Sequence, residues 1–136
     1  MSNPLFNDST MQGLQYALNS LTQRQQVLGN NVANAQTPGF VAQDVSFEDQ
    51  LASILNGTGT GMGTNANTGM DSNTGLSVSN GQPRVINAPD LSSTPDGNTV
   101  SLESQMAKVS ETNVMYDALT QLTADRMGIL NTAITG

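Results

Sequence analysis

Between Ser9 and Ala35, apolar side chains recur at Met11, Leu14, Leu18, Leu21, Leu28, Val32 and Ala35, a 3-4 spacing broken only at Gln25. A seam of this period held over more than three heptads is the mark of a helix that must lie against another helix. Asp8 or Ser9 supplies an N-cap oxygen. Gly13 and Gly29 fall off the seam and cost about 1 kcal/mol each relative to Ala. At 1.5 Å per residue, the spacing predicts a rod about 40 Å long. The stop signal is Gln36-Thr37-Pro38-Gly39-Phe40. Pro38 turns Thr37 out of the helical region, and Pro-Gly fits the centre of a type II turn, with Gly39 taking the positive φ. Phe40 is then placed to fold back onto the helix it leaves.

The other end of the chain carries the matching element. Ser101 is the expected N-cap, Glu103 stands in the first turn, and the pattern runs through residue 135. Leu102, Met106, Val109, Tyr116, Met127, Leu130 and Ile134 fit one 3-4 frame. Met115, Leu119, Leu122, Ile129 and Ala133 fit a second frame one position earlier. Two adjoining stripes predict a broad apolar face that touches more than one neighbour. Asn113, Thr120 and Thr123 interrupt the first stripe, so its partner changes partway or the seam is partly wet.

The middle is less ordered in pattern. A short helix is predicted over 45–56, capped by Ser46, favoured by Asp49 and bearing Leu51, Ile54 and Leu55 on one face. Residues 57–75 are mostly Gly, Thr, Asn and Met without apolar periodicity, which predicts a flexible loop. Leu76–Val78 and Arg84–Ile86 suit a small hairpin around Asn80-Gly81, with Pro83, Pro89 and Pro95 keeping its strands short and at an edge. The expected fold is mainly α in a single domain spanning 1–136. Long terminal helices (9–35 and 101–135) pair as a coiled coil, with the short helix and a loose Gly/Asn/Thr-rich middle (57–98) between them.

Composition narrows the function. The net charge is −7, from 11 acidic and 4 basic residues; phosphate backbones and anionic lipid heads are repelled, so no nucleic-acid partner is expected. Charged residues are only 11% of the chain against about 25% usually. Neutral amides and hydroxyls carry the polarity instead, and these cost less to bury between partners than ions do. Cys and His are both absent, which removes disulfides, thiolate metal sites, Cys nucleophiles and the commonest general base. Asp44, Glu48 and Asp49 could be imagined as a metal or acid/base cluster, but helix capping and a solvated face explain their spacing better. No catalytic residue, cofactor or metal is expected. Neither a cleaved signal peptide nor a membrane-inserted segment is legible. Arg24, Lys108 and Arg126 are expected to meet acids on neighbouring subunits.

One segment is more specific. Asn30-Asn31-Val32-Ala33-Asn34-Ala35-Gln36-Thr37-Pro38-Gly39-Phe40 resembles the N-terminal signature of the bacterial flagellar axial proteins, the rod, hook and hook-associated subunits, approximately N-N-[IVL]-A-N-x-x-T-x-G-[FY]. The continuation Val41-Ala42-Gln43-Asp44-Val45-Ser46-Phe47-Glu48, the later Asp96-Gly97-Asn98-Thr99-Val100-Ser101-Leu102-Glu103, and Tyr116 with Ala118-Leu119 are similar to stretches of the proximal rod subunits. The resemblance covers about residues 9–56 and 96–135. Read physically, Asn31 and Asn34 share a helix face, and their amides can satisfy backbone groups at the helix end or in the turn. Ala33, Thr37, Pro38 and Gly39 complete the turn motif, and Phe40 anchors it.

The resemblance implies a structural subunit of the proximal rod, polymerising through its terminal helices around a central export channel. It implies as partners other copies of the chain, other rod subunits, and the adaptor protein FliE with the export gate at the rod base. It also implies a location in the flagellar basal body, in a rod that spans the periplasm, reached through the flagellar type III apparatus. A sister proximal rod subunit is the alternative within the family. Outside it, a stand-alone helical-hairpin adaptor or chaperone shares the terminal helices but has no need of the turn signature.

Overall fold

The computed structural model describes residues 9–55, 83–90 and 94–136. The chain is mainly helical. α1 (Ser9–Ala33) is followed by β1 (Gln43–Ser46), α2 (Glu48–Leu55), β2 (Arg84–Asn87) and α3 (Leu102–Thr135). Among the described residues no helix is long and apolar enough to cross a membrane. The loop expected at 57–75, the strand at Leu76–Val78 with its Asn80-Gly81 turn, and the Asp8 cap lie outside the described residues.

α1 and α3 run antiparallel. Asn31 near the end of α1 meets Gln105 near the start of α3, and Gln25 meets Asn113. Farther along, Leu119 packs on the cluster of Tyr16, Leu21, Val45 and Phe47. Val27, Leu51 and Ile54 complete the surround of that cluster, so α1, β1, α2 and α3 all supply the core. Each large apolar side chain that is fully buried here contributes roughly 1.5–3 kcal/mol.

One boundary in the middle is corrected. The short helix begins at Glu48, not Val45, and Val45 and Ser46 are strand. Val45 and Phe47 are both buried two positions apart, the period of a strand rather than a helix. The helix opens instead with the Phe47 carbonyl accepting from Leu51 N–H, while Phe47 N–H donates to the Glu48 carboxylate. Residues 84–87 do form a strand, but it pairs antiparallel with β1, placing Val45 opposite Val85 and Asp44 opposite Ile86. Among the described residues its partner therefore comes from just after the first helix. The pairing continues one step beyond β2, where Ala88 N–H donates to Ala42 O.

Gly13 shows why α2 can cross α1 closely. A Cβ there would come within 2.9 Å of Leu55 Cδ2, so the absent side chain makes room for the second helix.

Candidate assembly surface and the junction that positions it

The two motif segments noted in the sequence meet in space. The turn after α1 is closed by Phe40 N–H donating to Thr37 O, with Gly39 at φ 70°. The turn before α3 is closed by Gly97 N–H donating to Thr94 O, with Gly97 at φ 81°. Both glycines hold a left-handed conformation that a side chain disfavours. The turns dock through main-chain bonds: Gly39 N–H donates to Asp96 O and Thr99 N–H to Phe40 O, both at 3.0 Å. Ala42 N–H donates to the Thr99 hydroxyl.

Asn98 lies at the centre of this junction and is almost wholly buried. Its amide N–H groups are shared among the main-chain oxygens of Asn34 (3.0 Å), Ala35 (3.1 Å) and Thr37 (2.7 Å). Its Oδ1 accepts from Val100 N–H. A helix leaves its last carbonyls without partners; here a side chain from the far end of the sequence supplies donors for the chain just beyond α1.

Asn31 performs the same service on a strand. Its Oδ1 accepts from Gln43 N–H at 3.0 Å, and its Nδ2 donates to Gln43 O at 2.7 Å and to Gln105 Oε1 at 2.8 Å. The side-chain amide thus pairs with Gln43 as a neighbouring strand would. Asn34 stays local, donating to Asn30 O and accepting from the Thr37 hydroxyl. Phe40 is half-buried, and its main chain links both turns.

From Gln105 the polar contacts continue as a chain. Gln105 donates to Asp90 at 2.9 Å, Asp90 lies 3.6 Å from the Lys108 ammonium, and Lys108 lies 3.9 Å from Asp44. Arg24 then bonds Asp44 at 2.8 Å and Glu48 at 3.2 Å, with its guanidinium 5.4 Å from the Phe47 ring centre. Burial alone would lower the Arg24 pKa, but the Asp44 and Glu48 carboxylates raise it above the usual value. Burial likewise works against an ionised Asp90, and the donors Gln105, Ser101 and Ser104 with the Lys108 charge more than offset it, holding the carboxyl below its usual range. Arg24 and Lys108 were expected to reach acids on other subunits; the structure pairs both within the chain. Asp44 is not on a solvated face either, since its side chain is held between the two cations.

The seam residues divide sharply. Leu14, Leu21 and Leu28 of α1 are buried within the chain, Leu28 completely, and Met11, Leu18 and Val32 are half-buried. On α3 the covered side lies where the two stripes adjoin and takes only a few members of each. It runs through Gln105, Val109, Thr112, Leu119, Thr123 and Leu130, and its most buried members, Gln105 and Thr112, are polar. Leu102, Met106, Met115, Tyr116, Leu122, Met127, Ile129 and Ile134 are exposed, as is Val114 at 70%. A helix with apolar side chains on most of its circumference is built to be surrounded. In the isolated chain only one flank is covered. A shallow depression on the open side is lined by small groups, Ala124, Gly128, Thr132 and Ala133, beside Ile129.

Asn98, Gln105 and Asp90 were missed as structural residues in the sequence. Asn98 sits inside Asp96-Gly97-Asn98, which reads locally as turn chemistry, and its acceptors lie at the opposite end of the chain. The resemblance of both segments to one family was the available signal that they belong together.

Comparison with known families matches residues 11–40 to "Flagella basal body rod protein". Across nearly the whole length the chain is similar to flagellar basal body rod protein FlgB of Yersinia enterocolitica, 32% identical over 91% of this chain and 93% of that protein. FlgB of Bacillus subtilis is 30% identical over 93% and 94% of the two chains. FlgB of Escherichia coli is 29% identical over 95% and 96%.

Proposed function

The chain belongs to the FlgB family of flagellar basal body rod proteins, and from that premise we propose that it is a structural, non-catalytic subunit of the proximal rod. Its copies and the other rod subunits pack through the terminal helices to build the part of the drive shaft that encloses the export channel. The base of the rod, with the adaptor FliE and the export gate, is the expected neighbourhood, and the type III export apparatus the route to it.

One observation carries this reading: α3 keeps apolar side chains on both shoulders while its covered flank is partly polar. A self-contained hairpin would place its leucines and methionines against its own partner helix. Covering a few of these exposed side chains in an assembly would offset the cost of ordering the helix ends, because each large apolar group contributes roughly 1.5–3 kcal/mol when fully buried. The last turns of α3 are accordingly expected to fray in a dilute monomer and to become fixed on incorporation.

The test separates folding from assembly. Leu122→Asp and Ile129→Asp alter exposed positions, so the purified variants should melt within about 0.5 kcal/mol of the parent. In a strain lacking its own copy they should fail to complete a rod. Motile cells carrying both changes would overturn the reading.

A further inference from the structure

The first two turns of α3 hold a position that hydrophobic burial does not explain. Leu102 and Met106 are each about half exposed, and the one fully buried side chain in this stretch is Gln105. What the stretch does have is Asp90. Its Oδ2 accepts from Ser101 N–H at 2.8 Å and Gln105 Nε2 at 2.9 Å. Its Oδ1 accepts from the Ser104 hydroxyl at 3.0 Å and faces Lys108 at 3.6 Å. One carboxylate therefore holds four successive positions along the inner side of the helix start, and its negative charge lies at the end that favours it.

Asp90 is in turn placed by the sheet. It follows β2 directly, after Ala88 has donated its N–H to Ala42 O at 2.8 Å. Its own N–H donates to Thr99 O. We propose that Asp90 is a latch that makes the docking of the first turns of α3 conditional on pairing of β2 with β1, so that residues 84–90 act as a strap across the two terminal helices. With the strap in place, the orientation in which α3 presents Leu102 and Met106 is fixed. Without it, the start of α3 is released while the cluster around Tyr16, Leu21, Phe47 and Leu119 remains. The charged groups on the surrounding elements are Lys108 and Glu103 of α3, Asp44 of β1, Arg24 of α1, Glu48 of α2 and Arg84 of β2. Of these, Lys108 is the one in ion-pair contact with Asp90. The proposal concerns the isolated chain and does not rest on the rod reading.

Hydrogen exchange of the full purified chain, read by segment, tests it. Asp90→Ala should speed exchange roughly tenfold or more over 101–112, as expected for losing several hydrogen bonds to a charged group. Segments 12–21 and 48–55 should stay within about twofold. Ser104→Ala, which removes a single contact, should produce a smaller change at the same place and keeps the test available if Asp90→Ala does not fold. Ala88→Pro removes the sheet bond while leaving Asp90 intact, and it should loosen 101–112 as well. Uniform acceleration along the whole chain would overturn the latch, as would unchanged exchange over 101–112 in Asp90→Ala or Ser104→Ala. Unchanged exchange there in Ala88→Pro would overturn its dependence on the sheet.

Discussion

Asn98 and Asn31 do what main chain ordinarily does. Each offers a buried amide to backbone groups that no helix or sheet partner reaches. Replacing Asn98 with Ala removes one bond from each of the oxygens of Asn34, Ala35 and Thr37, of which Asn34 O and Thr37 O keep their turn bonds from Thr37 and Phe40 N–H, and should cost about 1–3 kcal/mol, measured by urea unfolding. Asp90 gives a second prediction at this scale. Its carboxyl is held below the usual value of 3.8 in the folded chain, so the unfolded chain binds the proton more tightly. The stabilisation is present above that value and is lost as pH falls through the folded one. Unfolding free energies followed from about pH 7 down to about pH 3 should fall with acid, and Asp90→Asn should flatten that slope.

The helices differ in how they meet their surroundings, and their glycines expose the difference. Gly13 lies beneath Leu55, whereas a Cβ on Gly29 would meet nothing within 4 Å. Gly29→Ala should therefore stabilise the chain by roughly 0.5–1 kcal/mol through helix propensity alone. Gly13→Leu should cost about 1–3 kcal/mol by pushing α2 off α1. Thermal melts followed by circular dichroism distinguish the two. The seam of α1 was legible because a single stripe of leucines allows one inward side. α3 was only half legible, because two apolar stripes leave the inward direction undecided, and the covered side proved to be the partly polar strip where they adjoin, with Val109, Leu119 and Leu130 taken from the stripes themselves.

For the whole molecule, the partition of apolar surface matters more than its amount. Leu28 is completely buried inside the chain while Ile129 is 65% exposed. Leu28→Asp should therefore unfold the subunit itself, at a cost well above the roughly 1 kcal/mol of an average substitution, and say nothing about contacts between subunits. Ile129→Asp reports on those contacts alone. Comparing the soluble stability of both variants with their incorporation into rods would check this division of labour.

The sequence by itself determined the mainly helical class, the long terminal helices, the turn that ends the first, and the family. These follow from local rules: a 3-4 apolar period, a proline that halts a helix, a glycine that accepts positive φ. The tertiary structure decided which strand β2 joins, that Arg24 and Lys108 find acids within the chain, and that Asn98 completes the end of α1. Those pairings link residues far apart in sequence, and a polar side chain carries no local mark of whether it will face water or a distant carbonyl. The same limit held for α3, where local spacing placed the apolar residues on a helix but only packing against α1 determined which of them remain outside.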